Sequence, residues 1–375
     1  MMTEPRRTFL RGSLALSCGA GLGMLPFGAQ AAGISVVFIN PGRAEEPYWR
    51  SATRFMQPAA KQLGITLEVL YAERDHLKMI ALMQQVAQRQ SRPDYVILVN
   101  EKLAGGEMLK LAGQAGIRVL FAYSTFEGDQ LLEFGNPRVR HPHWLGSITP
   151  NSIEAGRLTA EELVALALRR KALADDGKVH VAAIAGDRVT PTGTQRLEGA
   201  LRVLERHSSV VFTQTVHANW ERTRAKEQAA GLLLRYPKLT AFWTASDLMA
   251  FGAMEAVEAA GRVPGRDILF SAINNSPDVL QARISGRVSS LAGGHFTAGA
   301  WALVMLYDYH HGKDFKPLGV DQRAPLFSLI DEDLAGRFLA RFGDEDFSSI
   351  DFRRFSRHLN PALARYDFSL PAAMR

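Results

Sequence analysis

The sequence predicts an α/β protein made of two similar doubly wound parallel-sheet lobes. Apolar, β-branched runs alternate with amphipathic stretches, the signature of a parallel sheet covered by helices on both faces. The second half of the chain repeats the plan of the first. One segment of each half also matches in detail: RPDYVILVNEKLAGGEMLKLAGQAG from Arg92 and YPKLTAFWTASDLMAFGAMEAVEAAG from Tyr236. Each runs proline, strand, polar loop, helix, terminal glycine.

In the first half, Ile34–Ile39 (ISVVFI) reads as a strand buried on both faces. A polar loop follows, then a helix over Tyr48–Leu63 with Trp49, Ala52, Phe55, Met56, Ala59 and Leu63 on one face. Pro58 should kink it or restrict its first turns, and Gly64 ends it. Strands follow at Thr66–Tyr71, Tyr95–Val99 and Arg118–Ala122, with helices at His76–Arg89 and Lys102–Ala115. The inward face of the second helix is read as Leu77, Ile80, Met83, Val86 and Ala87. In the second half the strands are Val179–Ile184, Val210–Val216, Ala241–Thr244 and Ile268–Ala272, and the helices Thr194–Arg206, Arg222–Arg235 and Leu248–Ala260.

The chain has 375 residues, 47% hydrophobic and 22% charged, enough for two domains with a sizeable core. Its net charge is +6; the first 31 residues contribute +2, and the remaining +4 is spread without a basic, aromatic-interleaved stripe, so nucleic acid is a poor partner. The single cysteine, Cys18, excludes zinc clusters, disulfides and a thiol nucleophile from the body of the protein. The ten histidines show no paired ligand spacing, so no metal is expected. No Gly-x-Ser-x-Gly elbow, Walker loop or zinc helix occurs, and neither an enzyme nor a cofactor is expected.

Residues 1–31 read as an export signal: Arg6-Arg7 within RRTFLR, an apolar stretch from Leu14 to Phe27, and Ala29-Gln30-Ala31 for cleavage. The motif resembles the twin-arginine route into the periplasm. Ala15-Leu16-Ser17 is a poor lipobox, so Cys18 is read as a discarded residue.

In open parallel sheets, ligands bind beyond the carboxyl ends of the strands, where the strand order switches. That rule selects Asn40–Trp49, Asn100–Lys102 and Tyr123–Phe126 from the first half. From the second it selects Gly186–Arg196, His217–Trp220, Ser246-Asp247 and Asn274–Pro277. These loops combine aromatic faces with Asn, Asp, Glu and Arg, which suits a small polyhydroxylated ligand.

Four stretches resemble the type I periplasmic solute-binding proteins, in particular the ribose-binding-like group: AGDRVTPTGTQRLEGA from Ala185, ANWERT from Ala218, ASDLMAFGA from Ala245 and INNSPDVL from Ile273. The resemblance spans about residues 33–345. NPGRAEEPYW from Asn40 and the insertion Phe126–Gly146 look more like the autoinducer-2-receptor branch, in which Glu46, Trp49 and Arg196 match ligand-touching positions. Departures are visible too. The arginine that grips sugar in ribose binders falls on Thr194, the aspartate after the fourth strand is Tyr123-Ser124, a second aspartate is Asn274, and the late glutamine falls near His295.

The candidate ligand-binding residues are therefore Asn40, Glu46, Tyr48, Trp49, Tyr123, Ser124, Arg196, Trp220, Ser246, Asp247, Asn274 and His295. The resemblance implies a first lobe of 32–148 with about 296–319 and a second of 149–295 with about 320–345. It puts crossings near Ser147-Ile148-Thr149, His295 and Leu318-Gly319. The tail 346–375 is expected to pack on a lobe through Phe352, Phe355, Leu359, Leu363 and Tyr366, spaced as on a helix. The implied function is capture of a sugar-like ligand by hinge closure, as a monomer, and delivery to an ABC transporter permease. The alternative is a periplasmic receptor that presents its liganded form to a membrane sensor kinase.

Overall fold

The structure, a computed structural model, describes residues 33–375; the export-signal reading and Cys18 lie outside the described residues. The first sheet is built from β1 (Ile34–Asn40), β2 (Ile65–Tyr71), β3 (Tyr95–Leu98), β4 (Arg118–Ala122) and β5 (Trp144–Pro150). Between them lie α1 (Pro47–Gln62), α2 (His76–Ala87), α3 (Gly105–Gln114) and α4 (Gly128–Phe134). The second sheet follows α5 (Ser152–Arg170) with β6 (Val179–Ala185), α6 (Pro191–Leu204), β7 (Val210–His217), α7 (Arg222–Arg235), β8 (Ala241–Thr244), α8 (Asp247–Ala259), β9 (Leu269–Ile273), α9 (Pro277–Ile284) and β10 (Ser290–Gly293). Then α10 (Ala298–His310) and β11 (Asp321–Ala324) return to the first sheet, and β12 (Ser328–Leu329) and α11 (Glu332–Phe342) to the second. A short α12 (Leu370–Met374) ends the chain.

The strand orders are β11-β5-β4-β3-β1-β2 and β12-β10-β9-β8-β6-β7. The two lobes thus share one doubly wound plan, as the repeat in the sequence predicts. All pairings are parallel except β10 with β12. In each lobe the order switches beside the first strand, between β1 and β3 and between β6 and β8. Chain direction places both switch points at the carboxyl ends, where a crevice opens. Val36–Ile39 and Val181–Ala185 are buried throughout, which is why these strands read as unbroken apolar runs.

Several elements differ from expectation. α1 runs unbroken through Pro58. On α2, Met79, Met83 and Val86 face inward, whereas Leu77 in the first turn is 64% exposed. The third helix starts late: residues 101–103 form a 3-10 turn with Lys102 left-handed (φ 46°), and α3 begins at Gly105. β5 and the 19-residue α5 were not anticipated.

β5 continues to Pro150, and β11 pairs beside it, with Ser147 Oγ donating to Asp321 at 2.8 Å. The chain therefore changes sheets at Asn151, at Gly294–Thr297 and between Ala324 and Ser328. The third change falls after β11 rather than near Leu318-Gly319, because β11 still belongs to the first sheet.

The segment after α11 is not a long helix. Phe352–Phe355 form a 3-10 turn, and Leu359 is 43% exposed. Prolines 361 and 371 interrupt any continuous helical register. The segment is nonetheless well anchored on the first lobe. Phe55 of α1 meets Phe347 and Phe352 at ring centroid distances of 5.0 and 5.2 Å, and Trp301 of α10 stacks on Phe368 at 4.9 Å. Glu345 receives Arg50 Nε at 2.8 Å, and buried Asp308 accepts from Arg357 N–H at 2.7 Å and Tyr366 OH at 2.9 Å. It also reaches the second lobe's elements, since Phe347 lies 5.2 Å from Phe342 of α11.

Candidate ligand cleft

The cleft between the two sheets encloses about 630 Å³, counted out to solvent. From the first lobe, Glu46 precedes α1 and Tyr48 and Trp49 lie in its first turn; the turn after β2 contributes Arg74, the segment after β3 Glu101, and the turn after β4 Tyr123 and Ser124. From the second, Thr190, Thr192 and Arg196 come from the start of α6 and Trp220 from the turn after β7. Ser246 and Asp247 open α8, Asn274 follows β9, and His295 sits at the second crossing.

Arg196 is the central polar group of the second lobe and is 3% exposed. Its Nη1 donates to the Ala245 carbonyl at 2.8 Å, its Nη2 reaches His295 Nε2 at 2.8 Å, and its Nε has no protein partner. Burial lowers its pKa to about 10, so it stays charged at neutral pH. Its guanidinium carbon lies 5.8 Å from the Trp220 ring and 5.6 Å from Phe327. The helix that carries Arg196 is seated by close backbone approach. A Cβ on Gly156 of α5 would lie 1.9 Å from the Arg196 carbonyl oxygen, and one on Gly199 of α6 1.9 Å from that of Ile153.

His295 lies between Tyr48 (4.7 Å) and Phe327 (4.5 Å), both stacked on its ring. Burial, and then the Arg196 charge, hold its pKa well below the ordinary histidine value. Its Nδ1, the Trp49 Nε1 and the Ser124 Oγ are buried without protein partners. A buried donor left unpaired is costly, and these atoms, with Arg196 Nε, are the polar atoms of cleft-lining residues that the protein itself leaves unsatisfied.

The carboxylates are already engaged. Asp247 accepts from Asn274 Nδ2 (2.5 Å), Ser276 Oγ (2.6 Å) and its neighbour's Leu248 N–H (2.8 Å); burial outweighs these bonds and raises its pKa. Ser246, not Asp247, caps α8 through Met249 N–H. Arg74 is clasped by both oxygens of Glu46, with Nε to Oε2 at 2.9 Å, and by Glu101 at 3.3 Å. Burial works to lower the Arg74 pKa, but the two carboxylates outweigh it and raise it. Trp220 donates from Nε1 to Asp187 at 2.8 Å, and its ring lies over Gly186, where a Cβ would come within 2.2 Å.

Left-handed backbone gathers at this cleft. Arg74 (φ 65°), Lys102 (46°), Leu103 (65°), Tyr123 (68°), Asn219 (52°) and Trp220 (67°) all adopt it, and none is glycine. Such conformations cost about 1–3 kcal/mol each and persist where the surroundings over-determine them, commonly at functional sites.

Eleven of the twelve residues singled out in the sequence line this cleft. Asn40 does not. It is buried, accepts Gly42 N–H at 2.9 Å and donates to Thr53 Oγ1 at 3.4 Å, so it shapes the loop that holds Trp49. Glu101, Thr190 and Thr192 lie in loops the strand-end rule selected but were not named. Arg74 was missed although the same rule, applied to the end of β2, points to it. Among the described residues, no group of three or more His, Cys, Asp or Glu side chains is placed to hold a metal.

Two similar lobes facing each other across a cleft of rings and hydrogen-bonding groups define a ligand-binding protein of the hinged, two-lobed class. The chain belongs to the periplasmic binding protein family, whose domain matches residues 36–314. It is 22% identical over 288 residues to the D-allose-binding periplasmic protein of Escherichia coli, covering 76% of this chain and 86% of that one. To the ribose import binding protein RbsB of Salmonella typhimurium it is 24% identical over 247 residues, 65% and 74% of the two chains. A crystal structure of a periplasmic sugar-binding protein from Pseudomonas fluorescens superposes with a TM-score of 0.82 at 39% identity, covering 91% of this chain and 99% of that one. These relatives are named for binding and import, which does not favour the sensor-kinase alternative.

Proposed function

We propose that the protein is exported to the periplasm, captures a monosaccharide or similar polyol between its lobes by hinge closure, and hands it to an ABC transporter permease. The observation that carries this reading is the pairing, across one cleft, of ring faces (Tyr48, Trp49, Trp220) with unpartnered donors on Trp49, Arg196 and His295. Sugar C–H faces stack on rings, and their hydroxyl and ring oxygens accept from such donors. The relatives, named for D-allose and ribose, support the same ligand class. Contacts made to both lobes stabilise the closed form, so ligand shifts the protein toward it.

Native mass spectrometry of the mature protein purified from periplasm tests the reading. A one-to-one adduct of sugar or polyol mass is expected. Failure to bind any of D-ribose, D-allose, D-galactose, L-arabinose or myo-inositol, added after release of endogenous ligand, counts against it.

A further inference from the structure

One hydrogen bond joins the two lobes directly beside the cleft: the Lys102 backbone N–H donates to Thr190 Oγ1 at 3.2 Å. Lys102 belongs to the first lobe and Thr190 to the second. Both ends are held by further bonds. On the first-lobe side, Lys102 follows Glu101, which is 5% exposed and bound by Arg74, and Arg74 in turn holds Glu46. Lys102 and Leu103 both hold left-handed backbone in the turn that carries this amide. On the second-lobe side, the Thr190 N–H donates to Asp187 Oδ1 at 2.7 Å, and the other oxygen of Asp187 accepts from Trp220 Nε1. A connected path therefore runs from the ion cluster of one lobe, through the Lys102–Thr190 bond, to the Trp220 ring that lines the cleft in the other.

We propose that Lys102 N–H and Thr190 Oγ1 form a latch that retains ligand by holding the cleft shut, and that Arg74 and Asp187 are positioning residues that aim its two halves. The proposal rests on the sugar-capture reading above. A latch formed only in the closed state slows opening, so it lengthens residence of the ligand and leaves association nearly unchanged.

The test uses the full mature chain and, as probe, whichever of D-ribose, D-allose, D-galactose, L-arabinose or myo-inositol binds the wild type most tightly. Thr190→Val removes the acceptor at nearly constant shape, and Thr190→Ser restores it. Dissociation of the probe is expected to be about fivefold faster in T190V, as for the loss of one net hydrogen bond, with T190S within about twofold of wild type. Arg74→Met is expected to speed dissociation too, and to add little in the T190V background. Amide exchange at Lys102 in the wild type supplies a readout independent of variant folding: it should slow when the probe binds. Unchanged dissociation in T190V, equal damage in T190S, or an unprotected Lys102 amide in the liganded wild type overturns the latch. Full additivity of R74M with T190V removes Arg74 from it. A wild type that binds none of the probes overturns the sugar reading instead.

Discussion

Arg196 donates from Nη2 to His295 Nε2 at 2.8 Å, and this one contact settles the protonation of the histidine. A guanidinium has only donors, so Nε2 must accept, and the neutral ring carries its proton on Nδ1. The cleft thus has a neutral imidazole beside a permanent cation.

A pH dependence follows. An unfolded histidine takes up a proton near pH 6.5, whereas folded His295 resists it because of burial and the Arg196 charge. Below that pH the unfolded state holds the extra proton. Stability from this group is complete above the unfolded value and falls as pH drops toward the depressed folded value, by up to about 1.4 kcal/mol per pH unit. Asp247, whose pKa is raised, acts in the opposite sense at more acid pH. Melting temperatures at pH 7.5 and 5.5 should show a larger acid loss in the wild type than in His295→Gln; equal losses would contradict the assignment.

Arg196→Met separates binding from stability. The substitution removes a buried cation that has no carboxylate in hydrogen-bond contact, which is favourable, and orphans the Ala245 carbonyl and His295 Nε2, which costs about 1–3 kcal/mol each. These effects oppose one another, so the melting temperature should move by only a few degrees, about 1–2 kcal/mol. Sugar affinity measured by calorimetry should fall by at least about tenfold with the loss of a charged hydrogen bond.

Gly186→Ala acts on Trp220 without touching its side chain. The new methyl would stand 2.2 Å from the indole, so the ring must move off the cleft and away from Asp187. Affinity should weaken about as much as in Trp220→Ala, by about 0.5–1.5 kcal/mol for a lost ring contact, with tryptophan fluorescence reporting the displacement. A variant that binds as the wild type does would remove Trp220 from the ligand contacts.

The tail contributes to stability through its rings. Phe347 is 2% exposed and packs with Phe55, Phe296 and Phe342, so Phe347→Ala should cost about 3–5 kcal/mol in urea unfolding. Leu359→Ala, at an exposed position of the same tail, should change stability by less than about 0.5 kcal/mol.

Strands buried on both faces were legible because ISVVFI and YVILV are short apolar, β-branched runs bounded by polar or turn residues, and the strand-end rule then found most of the cleft. What was missed has physical causes. β5 contains Gly146 and Pro150, and β11 (DQRA) and β12 are polar and only two to four residues long. Such strands exist because a neighbour pairs with them, not because their own pattern demands it. Arg74 stayed hidden because it sits in a left-handed turn at the end of an edge strand and reaches the cleft through Glu46 and Glu101. Asn40 was selected by its place at the end of β1, but its side chain turns back to brace its own loop.

A sugar bound between these two sheets is expected to close them. Small-angle scattering of the mature protein, first freed of endogenous ligand and then titrated with its tightest-binding sugar, tests it most directly. A saturable decrease in radius of gyration at one equivalent is expected, ending at a profile that matches this structure, and its weakening in Arg196→Met. Tight, stoichiometric binding with an unchanged profile would contradict closure.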